Sequence, residues 1–133
     1  MFVSNASLIK LKEKIINNGQ NVERIILHEI GSENLQFMCI AFKKDTRYPP
    51  IADKEEGFIS FVVLEGELLI NTYDINQKTK INSQLIHPKE IYKIPRYLYR
   101  ETISSEAKYT IFLEIIDGPF NPDNRIKMWK KIL

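Results

Sequence analysis

With 133 residues, 44% of them hydrophobic and 27% charged, the chain has the size and composition of one globular domain, which excludes disordered and fibrous classes. Nineteen basic against seventeen acidic residues leave a net charge of +2, too small a bias for nucleic acid or an anionic membrane as partner. The lone Cys39, inside Met38-Cys39-Ile40-Ala41-Phe42, reads as a small core hydrophobe rather than half of a disulfide.

The first predicted element is a helix over about 7–18. Leu8, Leu11 and Ile15 fall at helical spacing after the cap candidates Ser4 and Ser7, and Asn17-Asn18-Gly19 supplies a stop. A single amphipathic helix must bury its stripe, so it is expected to cover an edge or one end of a sheet. Lys10, Lys12, Glu13 and Lys14 interrupt the N-terminal segment, which therefore lacks the apolar run of a signal peptide or membrane span; a reducing cytoplasm is the expected location.

From Val22 onward short runs rich in Val, Ile, Phe, Tyr and Thr alternate with turn residues, the mark of a mainly β protein. Strands are predicted near Val22–Ile30, Leu35–Lys43, Phe58–Leu64, Glu67–Asp74, Thr79–Ile86, Ile91–Ile94, Tyr99–Ile103 and Lys108–Ile116. Glu65-Gly66 and Ile75-Asn76-Gln77-Lys78 read as tight connections that join three of these strands into a meander. Asp45 to Gly57 contains Pro49-Pro50 and Asp53-Lys54-Glu55-Glu56 and is predicted to be a long solvated loop, since proline removes a ladder donor and the charges call for water. Gly118-Pro119 ends the last strand, Phe120-Asn121-Pro122-Asp123 leads into a short helical turn, and the basic run Arg125 to Lys131 reads as a solvated face. No repeat or linker divides the chain. It is expected to form one domain over 1–133: a helix, a barrel over about 22–117 and an extension over 118–133.

Several segments, in order, carry a resemblance. They are Arg24-Ile25-Ile26-Leu27-His28, Leu35-Gln36-Phe37-Met38, Phe61-Val62-Val63-Leu64-Glu65-Gly66, Ile94-Pro95, Phe112-Leu113-Glu114 with Gly118-Pro119-Phe120, and Trp129. Over about Glu23 to Trp129 the chain resembles the WbuC family of cupin-fold proteins, which is associated with gene clusters for bacterial surface-polysaccharide (O-antigen) synthesis. The resemblance implies a double-stranded β-helix, or jelly-roll barrel, in agreement with the eight predicted strands.

It also implies a metal site, built from two histidines and a glutamate of a first motif and a histidine of a second. This sequence departs from that pattern throughout. Pro50-Ile51-Ala52-Asp53, or Pro50 through Lys54, stands where the family has Pro-His-x-His; Ile59 stands for the glutamate, Arg100 for the second-motif histidine, and Tyr97 for the usual glycine. Neither histidine of the chain, His28 or His87, falls at a ligand position, and both read as structural or surface residues. Asp53 and Glu55, two apart in a polar segment, read as solvated. No metal and no cofactor are expected.

Arg100 is the sharpest feature left, because it would place a guanidinium where the metal's charge normally lies. Strand alternation puts Glu114 on the same face as Thr110, Phe112 and Ile116, which makes it the candidate partner of Arg100 inside the barrel. Such a pair filling a defunct site is one reading, and Arg100 turned to solvent beside Glu101 is another. In the functional reading Arg100, with Glu114 and with Asp53, Tyr48, Tyr97 or Tyr99 at the mouth, binds a small anionic or sugar-derived ligand such as a nucleotide-sugar phosphate or a sugar acid. The alternatives are a catalytically silent cupin acting as a homodimeric interaction or accessory protein, and a metal-dependent sugar-modifying enzyme. No Ser-His-Asp or Cys-His arrangement, phosphate-binding glycine loop or nucleic-acid motif is present, and the sequence leans away from an enzyme.

Overall fold

A computed structural model describes residues 2–28, 35–53, 56–74, 79–104, 108–118, 123 and 125–127. One helix, α1 (Asn5–Asn17), precedes ten strands: β1 (Val22–Ile26), β2 (Leu35–Lys43), β3 (Arg47–Asp53), β4 (Phe58–Glu65), β5 (Leu68–Tyr73), β6 (Lys80–Ile86), β7 (Ile91–Pro95), β8 (Tyr99–Ile103), β9 (Tyr109–Asp117) and β10 (Arg125–Lys127). They form two antiparallel five-stranded sheets, β1-β2-β9-β4-β7 and β10-β3-β8-β5-β6. No helix among the described residues is long and apolar enough to cross a membrane.

The two sheets face each other over one apolar interior. Alternate residues of β2, β4, β5 and β9 meet there: Ile40, Phe42, Ile59, Phe61, Val63, Leu68, Ile70 and Phe112 are all buried. Phe42 and Phe112 pack edge to face with ring centroids 5.1 Å apart. The outer face of the first sheet is covered by α1. Its Leu11 and Ile15 lie on Cys39, Ala41 and Ile111, so the helix shields a sheet face rather than an end. Burial among these side chains pushes the Cys39 thiol up to about 11, as befits an inert core residue. The helix begins one turn's edge earlier than predicted because Ser4 and Ser7 form a reciprocal capping box, each accepting from the other's backbone N–H.

Four parts of the sequence reading change. Phe58–Glu65 and Leu68–Tyr73 do not form a hairpin, because β4 pairs with β7 and β9 while β5 pairs with β6 and β8. Glu65-Gly66 is instead the corner at which the chain leaves one sheet for the other. Gly66 has φ +82°, and a Cβ there would lie 2.5 Å from the Tyr109 carbonyl oxygen, so only glycine fits. Secondly, the expected loop over 45–57 contains strand β3. Its ladder with β8 shifts register between Tyr48 and Ile51, and β10 pairs only with Ile51, Ala52 and Asp53, so Pro49-Pro50 sits in a bulge where no ladder donor is required. Thirdly, part of the C-terminal run expected as a solvated face, Arg125–Lys127, is strand β10. Finally, the first strand ends at Ile26 rather than Ile30. The 75–78 connection, Glu55, the Phe120-Asn121-Pro122 lead into the helical turn and Trp129 lie outside the described residues.

Candidate functional site

Strand pairing brings a buried ion cluster together. Ile51 of β3 is the Cα partner of Arg100 in β8, and Asp53 is the partner of Arg125 in β10, so Asp53 and the two arginines meet at one end of the second sheet. Arg100 Nη2 donates to Asp53 Oδ2 at 3.1 Å, Arg96 Nε to the same oxygen at 3.4 Å, and Arg125 Nε to Oδ1 at 3.4 Å. Asp53 is 2% exposed, Arg96 0% and Arg100 3%, which places these ions out of solvent where only pairing makes them tolerable.

The scaffold around Arg96 is specific. Its Nη1 donates to the Asp117 carbonyl at 3.0 Å, its own carbonyl accepts from Arg100 Nη1 at 3.2 Å, and Asp53 N–H donates to that carbonyl at 2.9 Å. Gly57, with φ +112°, lets its backbone approach the Asp117 carbonyl that accepts from Arg96, since a Cβ there would sit 2.8 Å from that oxygen. Burial works to raise the Asp53 carboxyl, but the charges of Arg100, Arg125 and Arg96 outweigh it and hold the group below its ordinary value. Burial pushes Arg100 down from its ordinary value, opposed by Asp53 and Glu114.

Above this cluster lies a small open cavity of about 50 Å³. Its polar lining is Arg24, Arg100, Arg125, Glu114, Tyr48 and Thr102, and its apolar wall includes Met38, Ile40, Phe42 and Phe61. A second recess, lined by Arg24, Gln36, His28 and Arg125, adjoins it. Glu114 stands on β9 between its pairing partners Met38 and Phe61 and faces the arginines across the interior. Burial raises its carboxyl, and Arg100, Arg125 and Arg24 pull it back. Among the described residues no hydrogen bond, and no ion pair within 4 Å, engages the Glu114 carboxylate.

The architecture is shared with solved structures. Oxalate oxidase in complex with glycolate superposes with a TM-score of 0.67 at 16% identity, over 84% of this chain and 57% of that one. A cupin superfamily protein from Desulfitobacterium hafniense gives 0.58 at 18% identity, covering 75% and 79%. KdgF from Halomonas sp. gives 0.61 at 13% identity, covering 77% and 83%.

The fold is a cupin fold. The chain spans little more than half the length of the oxalate oxidase chain. No family model and no curated protein matches the sequence.

Within this cupin barrel the residues standing at the expected ligand positions do not suit a divalent cation. Ile59 is fully buried in the apolar core, Asp53 is saturated by three guanidiniums, and Arg100 points its own positive charge into the cavity. Among the described residues no three His, Cys, Asp or Glu side chains converge as a ligand set. His28 contacts the Phe37 carbonyl through Nδ1 at 3.1 Å, and His87 lies beside Glu90 on the surface.

The six residues singled out by sequence divide. Arg100, Glu114 and Tyr48 line the cavity, and Asp53 lies beneath it rather than in a solvated loop. Asp53, not Glu114, is the ion-pair partner of Arg100, because the strand over 47–53 carries it inside. Tyr97 is exposed, and Tyr99 packs with Ala52 and Tyr73 on the opposite face of the sheet, so neither borders the cavity. Glu101 shares that opposite face. Its carboxylate accepts from Asn71 Nδ2 at 2.9 Å and Tyr73 Oη at 3.1 Å, and burial followed by Glu101 raises the Tyr73 phenol. Arg24, Arg96 and Arg125 had no place in the sequence-based site. Alternation offered a signal for two of them: Arg24 shares a face with Val22, which packs on the core, and Arg96 shares one with buried Ile94.

Proposed function

We propose that the protein is a non-metal cupin that binds a small anionic, sugar-derived ligand in its barrel. The observation that carries this reading is Arg100, a guanidinium 3% exposed at a cavity that Arg24 and Arg125 also line. A desolvated guanidinium binds carboxylate or phosphate oxygens far more strongly than an exposed one, and the apolar wall of Met38, Ile40 and Phe61 suits the carbon face of a sugar. Oxalate oxidase, which shares the fold, was solved with glycolate, itself a small anion. The resemblance to the WbuC family supports a role in bacterial surface-polysaccharide synthesis, and the arrangement favours binding over catalysis.

The test is a thermal-stability and calorimetric screen of sugar acids, sugar phosphates and nucleotide sugars against the wild type and Arg100→Ala. Stabilisation of the wild type that the variant loses is expected. No stabilisation of the wild type by any of them would overturn the reading.

A second reading, an interaction protein, draws on β6. It pairs only with β5 among the described residues and carries no charged side chain after Lys80, leaving Ile81 exposed at a sheet edge of the kind that pairs with a second copy. Light scattering that finds only monomer at 100 μM, about the concentration of a weak dimer's Kd, would remove it.

A further inference from the structure

The cavity sets two demands that no simple anion meets. Arg24, Arg100 and Arg125 call for negative charge, while Glu114 lines the same cavity with its carboxylate unengaged among the described residues. Among the described residues, Glu114 is surrounded from six strands. β2 and β4 present Met38 and Phe61, β1 presents Arg24, β8 Arg100, β10 Arg125, and β3 presents Tyr48 with Asp53 beneath. Asp53 already absorbs part of the arginines' charge, and it does so from outside the cavity lining.

A bare anion seated on the arginines would face Glu114 and be repelled by it; a neutral sugar would bring no charge to match the arginines, which outnumber the carboxylates Asp53 and Glu114. Glu114 is half-buried at the cavity, so a ligand that displaces water from its carboxylate must itself supply a donor. A ligand with negative charge at one end and a hydroxyl donor at the other satisfies both sides at once.

We infer that Glu114 is a specificity-determining residue that accepts a hydrogen bond from a ligand hydroxyl, so that the cavity selects hydroxylated anions, sugar acids or sugar monophosphates, over anions of the same size and charge that lack hydroxyls. This rests on the anion-binding reading above and goes beyond it by assigning Glu114 and the second half of the ligand. Carboxylate and phosphate share the chemistry that arginine recognises, and the probes separate them.

The experiment is calorimetric titration at pH 7.5 with two matched pairs: D-glucuronate against cyclohexanecarboxylate, and D-glucose 1-phosphate against cyclohexyl phosphate. Wild type, Glu114→Met and Glu114→Gln are compared, with folding checked by circular dichroism. In the wild type the hydroxylated member of at least one pair is expected to bind about tenfold or more tightly, the scale of a hydrogen bond to a charged group. The preference should collapse toward one in Glu114→Met, while the hydroxyl-free anion binds as well or better once the carboxylate is gone. Glu114→Gln, which keeps an acceptor oxygen, should retain part of the preference and guards against misfolding of the methionine variant. Equal binding within both pairs in the wild type, or a preference that survives Glu114→Met, overturns the role of Glu114 and leaves anion binding standing. Absence of binding by all four probes overturns the anion-binding reading itself.

Discussion

The interior of this barrel has two unlike regions. One is the packed apolar middle, where Ile59, Phe61, Val63, Leu68, Ile70 and Phe112 fill the space between the sheets. The other is the charged end, where Asp53, Arg96 and Arg100 are just as completely withdrawn from water. The first gains stability from every methylene it buries. The second must recover, ion by ion, the hydration it gave up, and a hydrophobic replacement of similar shape would serve the fold as well or better.

The largest expected effect separates the regions most sharply. Asp53→Ala leaves Arg96, Arg100 and Arg125 without their shared carboxylate and should cost about 3–5 kcal/mol in urea denaturation. The pH dependence should agree. The folded-state carboxyl is held below its unfolded value, so its contribution is fully present above about pH 4 and is lost as pH falls through the depressed folded value. The acid limb of the stability curve should flatten in Asp53→Asn.

A smaller loss is expected at the sheet corner. Gly66→Ala forces a side chain into the left-handed region against the Tyr109 carbonyl and should destabilise by about 1–3 kcal/mol in the same assay. Glu114→Gln should move the other way. The folded carboxyl titrates above its unfolded value, so its penalty is absent below about pH 4.3, grows as pH rises through the raised value and is complete above it. The variant is expected to match the wild type at pH 4 and to exceed it by about 1 kcal/mol at pH 8, read as thermal midpoints. Ile59→Val, in the packed region, should cost about 1 kcal/mol at every pH, which marks it as free of the ionic cluster. Metal analysis of protein purified without added metal provides the last contrast: stoichiometric zinc, iron or nickel would mean that the arginines do not set the charge of the site.

Much of the fold was legible because it follows from alternation. The strands over 35–43 and 99–103 have their predicted limits, the strand over 109–117 lies within one residue of its own, and Glu114 faces inward with Phe112 and Ile116. The strand over 47–53 was hidden by Pro49-Pro50, whose lost donors count against a ladder unless a bulge falls on them. Reading it as a loop placed Asp53 at the mouth and hid its burial and its pairing with Arg100, since a carboxylate among Lys54, Glu55 and Glu56 looks solvated until its strand turns it inward. Glu65-Gly66 looked like a hairpin turn because short turns and sheet corners draw on the same glycine; only the pairing partners, distant in sequence, distinguish them. Arg125 could not be found by local pattern at all, because Asp53, its partner, lies 72 residues earlier.

That separation has a consequence for how the protein matures. The first sheet and four strands of the second are in place with β1 to β9, whereas one of the cavity's three arginines is delivered by β10, a three-residue strand that among the described residues pairs only with β3. A nascent chain can therefore pair β1 to β9 before the cavity carries its full charge, so that the electrostatic character of the cavity is set later than most of the strand pairing.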